Sequence, residues 1–131
     1  MKLEDLNLAD RAIKIIQKTR FDKSQIPIAI RAGFKCEYCD KDLLESIDAY
    51  DSWQIDHIVP DGNNDFDNLA LTCKLCNFTK RHSAKDELAL CTSREEKIDL
   101  AKSLIAKRKI KKEETLALVQ ELKNLTREFT I

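Results

Sequence analysis

A mainly α-helical chain carrying one small β-hairpin is the fold class the sequence predicts, and three observations carry it. Glycine and proline number only two each in 131 residues, too few turn formers for a many-stranded sandwich or barrel. Long stretches are rich in Lys, Glu, Leu and Ile, which favour helices. Four of the five cysteines fall into two pairs, Cys36-Glu37-Tyr38-Cys39 and Cys73-Lys74-Leu75-Cys76. This paired C-x-x-C spacing suits a closed tetrahedral zinc site stapling a small region.

The elements follow in order. Asn7 is expected to cap a helix from Leu8, with Ala9, Ala12, Ile13 and Ile16 on one face. Ser24 is expected to cap a second helix with Pro27 in its first turn, and Gly33 suits the left-handed position that ends it. Residues 41–50 read as loop or a short helix. From Ser52 to His57 the side chains alternate, placing Trp53, Ile55 and His57 on one face of a strand and Gln54 and Asp56 on the other. Residues 61–68 read as a loop of turn formers, and Leu69 to Thr72 as the returning strand. A helix is expected from about Phe78, and Ser93 with Glu96 forms a capping-box pair opening helix from Arg94 towards Arg127. That last stretch is either one helix or two meeting at the basic run Lys107 to Lys112.

The charges are balanced, 23 basic against 23 acidic, so the global basicity of many nucleic-acid binders is missing. Their distribution is uneven. Residues 1–79 hold 10 basic and 14 acidic side chains, and residues 80–131 hold 13 and 9, giving −4 and +4. Any nucleic-acid face must therefore be local. The N-terminus is acidic and lacks an apolar run, so neither signal peptide nor membrane partner is expected, and the setting is expected to be cytoplasmic. In that reducing compartment paired cysteines favour metal over disulfide. Cys91 has no partner at ligand spacing and reads as a buried thiol.

The 33 residues between the pairs, 40–72, exceed the ~15–20 of a plain zinc ribbon, so something is built into the gap. It contains Asp56-His57-Ile58-Val59-Pro60 and then Asn68-Leu69; Cys76 is followed by Asn77 and, three residues on, Lys80. Taken singly, His57 is as well read as a half-buried histidine bonded to a carbonyl, and Asp56 as a turn cap. Together, over about residues 24–82, the order resembles the HNH endonuclease family: C-x-x-C, D-H-I-x-P, N-L, then C-x-x-C-N and Lys.

The resemblance implies a ββα-metal core stapled by a four-cysteine site with structural Zn²⁺ on Cys36, Cys39, Cys73 and Cys76, and flanked by N- and C-terminal helices. The expected organisation is a helical segment over 1–23, the nuclease core over 24–90, and a helical segment over 91–131 that packs on the core or mediates dimerisation. By the same resemblance His57 is the general base, since a neutral imidazole takes a proton from water. Asp56 and Asn77 match ligands of a catalytic Mg²⁺ or Mn²⁺, both being hard oxygen donors. Asn68 matches the residue that pins the loop and orients His57 by a hydrogen bond. His82 falls about 500° round a helix from Asn77 and reads as a surface or phosphate-contacting residue.

The implied activity is divalent-metal-dependent hydrolysis of phosphodiester bonds, with DNA the expected substrate and RNA kept open. Lys80 and Arg81 are expected to meet phosphates beside the scissile bond. Lys107, Arg108, Lys109, Lys111 and Lys112 offer a second backbone contact, against the alternative of a solvated helical face. The competing reading of the whole chain is a non-catalytic zinc-stapled module for nucleic-acid binding or protein interaction. Apolar stripes on the last helix leave a homodimer or a larger partner open.

Overall fold

A computed structural model describes residues 1–131. A 3-10 turn at Leu3–Leu6 leads into α1 (Asp10–Ile16) and α2 (Gln25–Ala32). The cysteine turn follows, then α3 (Ile47–Ser52), β1 (Gln54–His57), β2 (Leu69–Thr72), α4 (Lys74–Lys80), α5 (Lys85–Leu90) and α6 (Arg94–Leu125). The mainly helical class with one antiparallel hairpin is what the sequence predicts.

Several helix ends differ from expectation. Asn7 adopts the left-handed conformation that closes the 3-10 turn, and α1 starts at Asp10 with Ala9 before it. Ser24 precedes α2, but its side chain caps nothing; Asp22 Oδ1 accepts from the N–H groups of Ser24 and Gln25, 2.8 and 3.0 Å away. Both residues are cap formers, and the incoming chain brings only Asp22 within reach. Gly33 does end α2 in the left-handed region, at φ 64°. The last stretch is one uninterrupted helix, α6.

The hairpin pairs Gln54 with Thr72, Ile55 with Leu71, Asp56 with Ala70 and His57 with Leu69. Ala70 and Leu71 are fully buried, and Trp53, Ile58 and Val59 flank β1 in the same core. Phe21 stacks on Trp53 at 4.5 Å between ring centroids, so residues ahead of α2 also enter that core. Ala101 and Ile105 of α6 close it from the other side. From Ile110 onward every residue is exposed, so α6 leaves the body halfway along its length.

The outer edge of β2 is held by the cysteine turn and by side chains rather than by a third strand. Glu37 N–H donates to Leu71 O, and Glu37 Oε2 accepts from Leu71 N–H, both at 2.8 Å. Arg31 and Arg94 each donate to Leu69 O, and Arg94 also pairs with Glu37 at 2.7 Å. These contacts satisfy backbone groups that an open edge would leave to solvent or to another chain.

Candidate metal centres and active site

Lys35 and Asp42 bridge the ends of a tight turn that carries Cys36 and Cys39, with Asp40 left-handed at φ 63°. Asp tolerates that conformation better than most residues because its short side chain bonds locally. Cys73 precedes α4, and its Sγ accepts from the Cys76 N–H at 3.4 Å. All four sulfurs lie within 4.8 Å of one another, and those of Cys39 and Cys73 are 3.7 Å apart. A tetrahedral zinc with bonds of about 2.3 Å has edges of about 3.8 Å, so the cluster fits that ion.

The hydrogen bond with Cys73 pushes the Cys36 thiol up to about 12, and the same bond pulls Cys73 well below the ordinary thiol range. Cys76 is raised, chiefly by its bonds with Cys36 and then Cys73. Burial pulls the Lys109 ammonium down, but nearby Cys76 and Cys39 outweigh it and the net shift is upward. A cation beside the sulfurs offsets the excess negative charge of four thiolates around a divalent ion. Cys91 stands apart and is half-exposed, not the buried thiol expected.

The second centre is built on α4 where it crosses β1. Lys80, expected at a phosphate, is fully buried instead. Its Nζ lies 3.0 Å from Asp56 Oδ2 and donates to His57 O at 3.0 Å. Tyr38, inside the first cysteine turn, donates its hydroxyl to the same Oδ2 at 2.7 Å. Burial, and then the Asp56 charge, hold the Tyr38 proton more firmly than usual. Asp56 Oδ2 is thus doubly engaged, and Oδ1 has no protein donor.

Asp56 lines a cavity of about 260 Å³ with Asn77, Phe78, Arg81 and His82. His82 reaches it because α4 has already ended: Arg81 has φ 51° and ψ −148°, a region most side chains avoid, and the chain turns back. The 500° separation assumed a helix that continues; His82 is exposed, as a surface residue should be, but it stands at the cavity beside Asn77 rather than on another face. α4 also starts earlier than expected, at Lys74, which places Cys76 and Asn77 within the helix.

His57 is not among the side chains lining that cavity. Its Nε2 lies 2.7 Å from Asn64 Oδ1 in the loop beyond β1. Because Oδ1 only accepts, Nε2 is assigned the proton and Nδ1 keeps the lone pair. Asn68 pins the loop as expected, accepting from Val59 N–H at 2.9 Å and donating to Val59 O and Asn63 O. It makes no bond to His57, so Asn64 takes the orienting role assigned to Asn68. The loop contains three asparagines, and composition alone does not say which one turns towards the ring.

The basic residues divide. Arg81 is exposed at the cavity. Arg108 donates to Thr79 O and Lys80 O at 3.0 and 2.9 Å, so it closes the end of α4 rather than standing free for a phosphate. Lys107 is exposed, and Lys111 and Lys112 line a hollow beside Arg108. Lys112 also meets Lys41 and Lys74, which sequence reasoning passed over, in a cleft of about 440 Å³.

The architecture is a hairpin and following helix gathered at a four-sulfur cluster that could hold a metal ion, with a carboxylate and an amide lining one cavity against the helix. Residues 36–83, a stretch that includes both cysteine pairs, the hairpin and α4, match the family model described as HNH endonuclease. No curated protein and no solved structure matches the chain. No helix is long and apolar enough to cross a membrane.

Proposed function

We propose that the chain is a divalent-metal-dependent endonuclease that hydrolyses phosphodiester bonds in DNA, with residues 24–90 as its catalytic core. The observation that carries the reading is the shared cavity of Asp56 and Asn77, one strand and one helix each lining it with a residue that bears a hard oxygen. Mg²⁺ or Mn²⁺ bound there would stabilise the charge developing on the scissile phosphate and on the leaving 3′ oxygen. The rest falls to the chain's own groups. Asn64 holds the His57 ring by Nε2–H, which leaves Nδ1 to take the proton from an attacking water. Lys80 and Tyr38 fix Asp56 through Oδ2 and leave Oδ1 without a protein donor, free to meet an ion. Arg81 supplies positive charge at the cavity wall.

Four free thiols gathered as a metal cluster, without a disulfide, support a reducing and therefore cytoplasmic setting. The exposed apolar side chains of α6, Leu118, Leu122 and Leu125 at spacings of four and three, with Phe129 exposed just beyond the helix, support docking to a second copy or a larger protein.

Incubation of the zinc-loaded protein with supercoiled plasmid and Mg²⁺ or Mn²⁺ should nick the DNA. His57→Ala should abolish nicking with the zinc content unchanged. Cleavage that persists in that variant removes His57 as the base, and no cleavage by the wild type with any divalent ion leaves the non-catalytic zinc-stapled module.

A further inference from the structure

Phe78 stands next to Asn77 on α4 and is 46% exposed, between a helix end that is buried on its other side and open solvent. Its ring is a wall of two cavities. One is the space shared by Asp56 and Asn77, and the other is the cleft lined by Lys41, Lys74 and Lys112. Lys74 Nζ lies 5.5 Å from the ring centroid, close enough to polarise its face. Three lysines and one carboxylate, Asp48, line the cleft, and Lys41 is also paired with Glu45 at 3.8 Å, so the lining keeps a net positive charge. These lysines come from the cysteine turn, α4 and α6, and only the fold brings them to one side of the ring.

A duplex keeps its bases stacked on each other and shows a protein surface mainly phosphates and groove edges. A solvent-facing ring gains little from it. An unpaired base presents a free π face, and an aromatic ring flanked by cations is how proteins hold single strands without reading sequence. We propose that Phe78 is a stacking platform for an unpaired nucleobase beside the scissile phosphate, with that strand's backbone passing along Lys74, Lys41 and Lys112. The ligand class is an unpaired stretch of polynucleotide, free or at a fork or bulge in a duplex. The position of the scissile phosphate rests on the nuclease reading, whereas the binding does not.

The test is equilibrium binding by the full zinc-loaded chain in the His57→Ala background, without added Mg²⁺ or Mn²⁺ so that nothing is cut. Fluorescently labelled oligo-dT, oligo-U and a blunt hairpin duplex are titrated in separate arms at one salt concentration. The single strands should bind more tightly than the duplex. Phe78→Ala should weaken them by about tenfold, the loss of one stacked base, and change the duplex by less than about twofold. Phe78→Tyr should restore the single-strand affinity. The dT and U arms separate DNA from RNA as the source of the unpaired strand. Equal losses for single strand and duplex, or no loss for either, overturn the platform. A platform confirmed in a protein that never nicks plasmid would sink the nuclease alone, and nicking with no Phe78 effect would sink the platform alone.

Discussion

Lys80→Met separates a buried clamp from a phosphate contact. The ammonium is fully buried, 3.0 Å from Asp56 Oδ2 and 3.0 Å from His57 O, and methionine preserves most of the stem while removing the charge. Asp56 would then keep only the Tyr38 hydroxyl as donor and would be a buried carboxylate without a countercharge. Breaking a buried pair from one side costs about 3–5 kcal/mol. Loss of the donor to the His57 carbonyl adds about 1 kcal/mol. Against a total stability of about 5–15 kcal/mol, that is a large share. The measurement is urea unfolding at fixed excess zinc for wild type, Lys80→Met, Asp56→Asn and the double variant. Once Asp56 is neutral there is no stranded charge, so Lys80→Met should cost at least about 2 kcal/mol less in the Asp56→Asn background. A loss below about 1 kcal/mol with Asp56 present, accompanied by a weaker salt dependence of DNA binding, would return Lys80 to the phosphate role and refute the clamp.

Two further outcomes are expected. Zinc titrated into the ion-free chain should release protons, because Cys36 there keeps its thiol proton up to about 12 and must give it up to bind. Apparent zinc affinity should therefore rise with pH, and calorimetry in two buffers of different ionisation enthalpy counts the protons; a count of zero contradicts the cluster. Truncation after Glu113 removes only residues that are exposed in the single chain, so if α6 docks a second copy the Tm should fall in a concentration-dependent way, and a shift below about 2 °C at every concentration rules that copy out.

The staple and the hairpin were legible because their signals are local and strict: fixed cysteine spacing, alternation through Gln54 to His57, and a polar loop before Leu69. Helix ends were less so. Asn7, Ser24 and Asp22 are all good cap formers, and which one serves is decided by how the chain arrives. The position of His82 turned on one backbone angle at Arg81, which helical periodicity does not contain. Lys80 was misread for a different reason. A lysine beside an arginine reads as surface, and only the crossing of α4 over β1 sets it against Asp56. Phe78 and Lys74 were hidden likewise, since nothing in their spacing links them to Lys41 or to Lys112 of α6.

The four-sulfur site also does more than hold two ends of chain together. One ligand pair, Cys36 and Cys39, brackets Tyr38, whose hydroxyl fixes Asp56. The other pair, Cys73 and Cys76, forms the first turn of α4, and the next residue is Asn77. An ion on the sulfurs therefore sets the cysteine turn and the helix at one mutual distance, and the Asp56 carboxylate and Asn77 amide inherit it. Under the proposed reading, zinc positions both oxygens without touching either. Neither turn has a buried core of its own large enough to fix that spacing within the few tenths of an ångström that coordination of a small hard ion demands. A loosened staple should thus cost the second site its ion while the hairpin ladder and the contacts of α6 with the core are still intact.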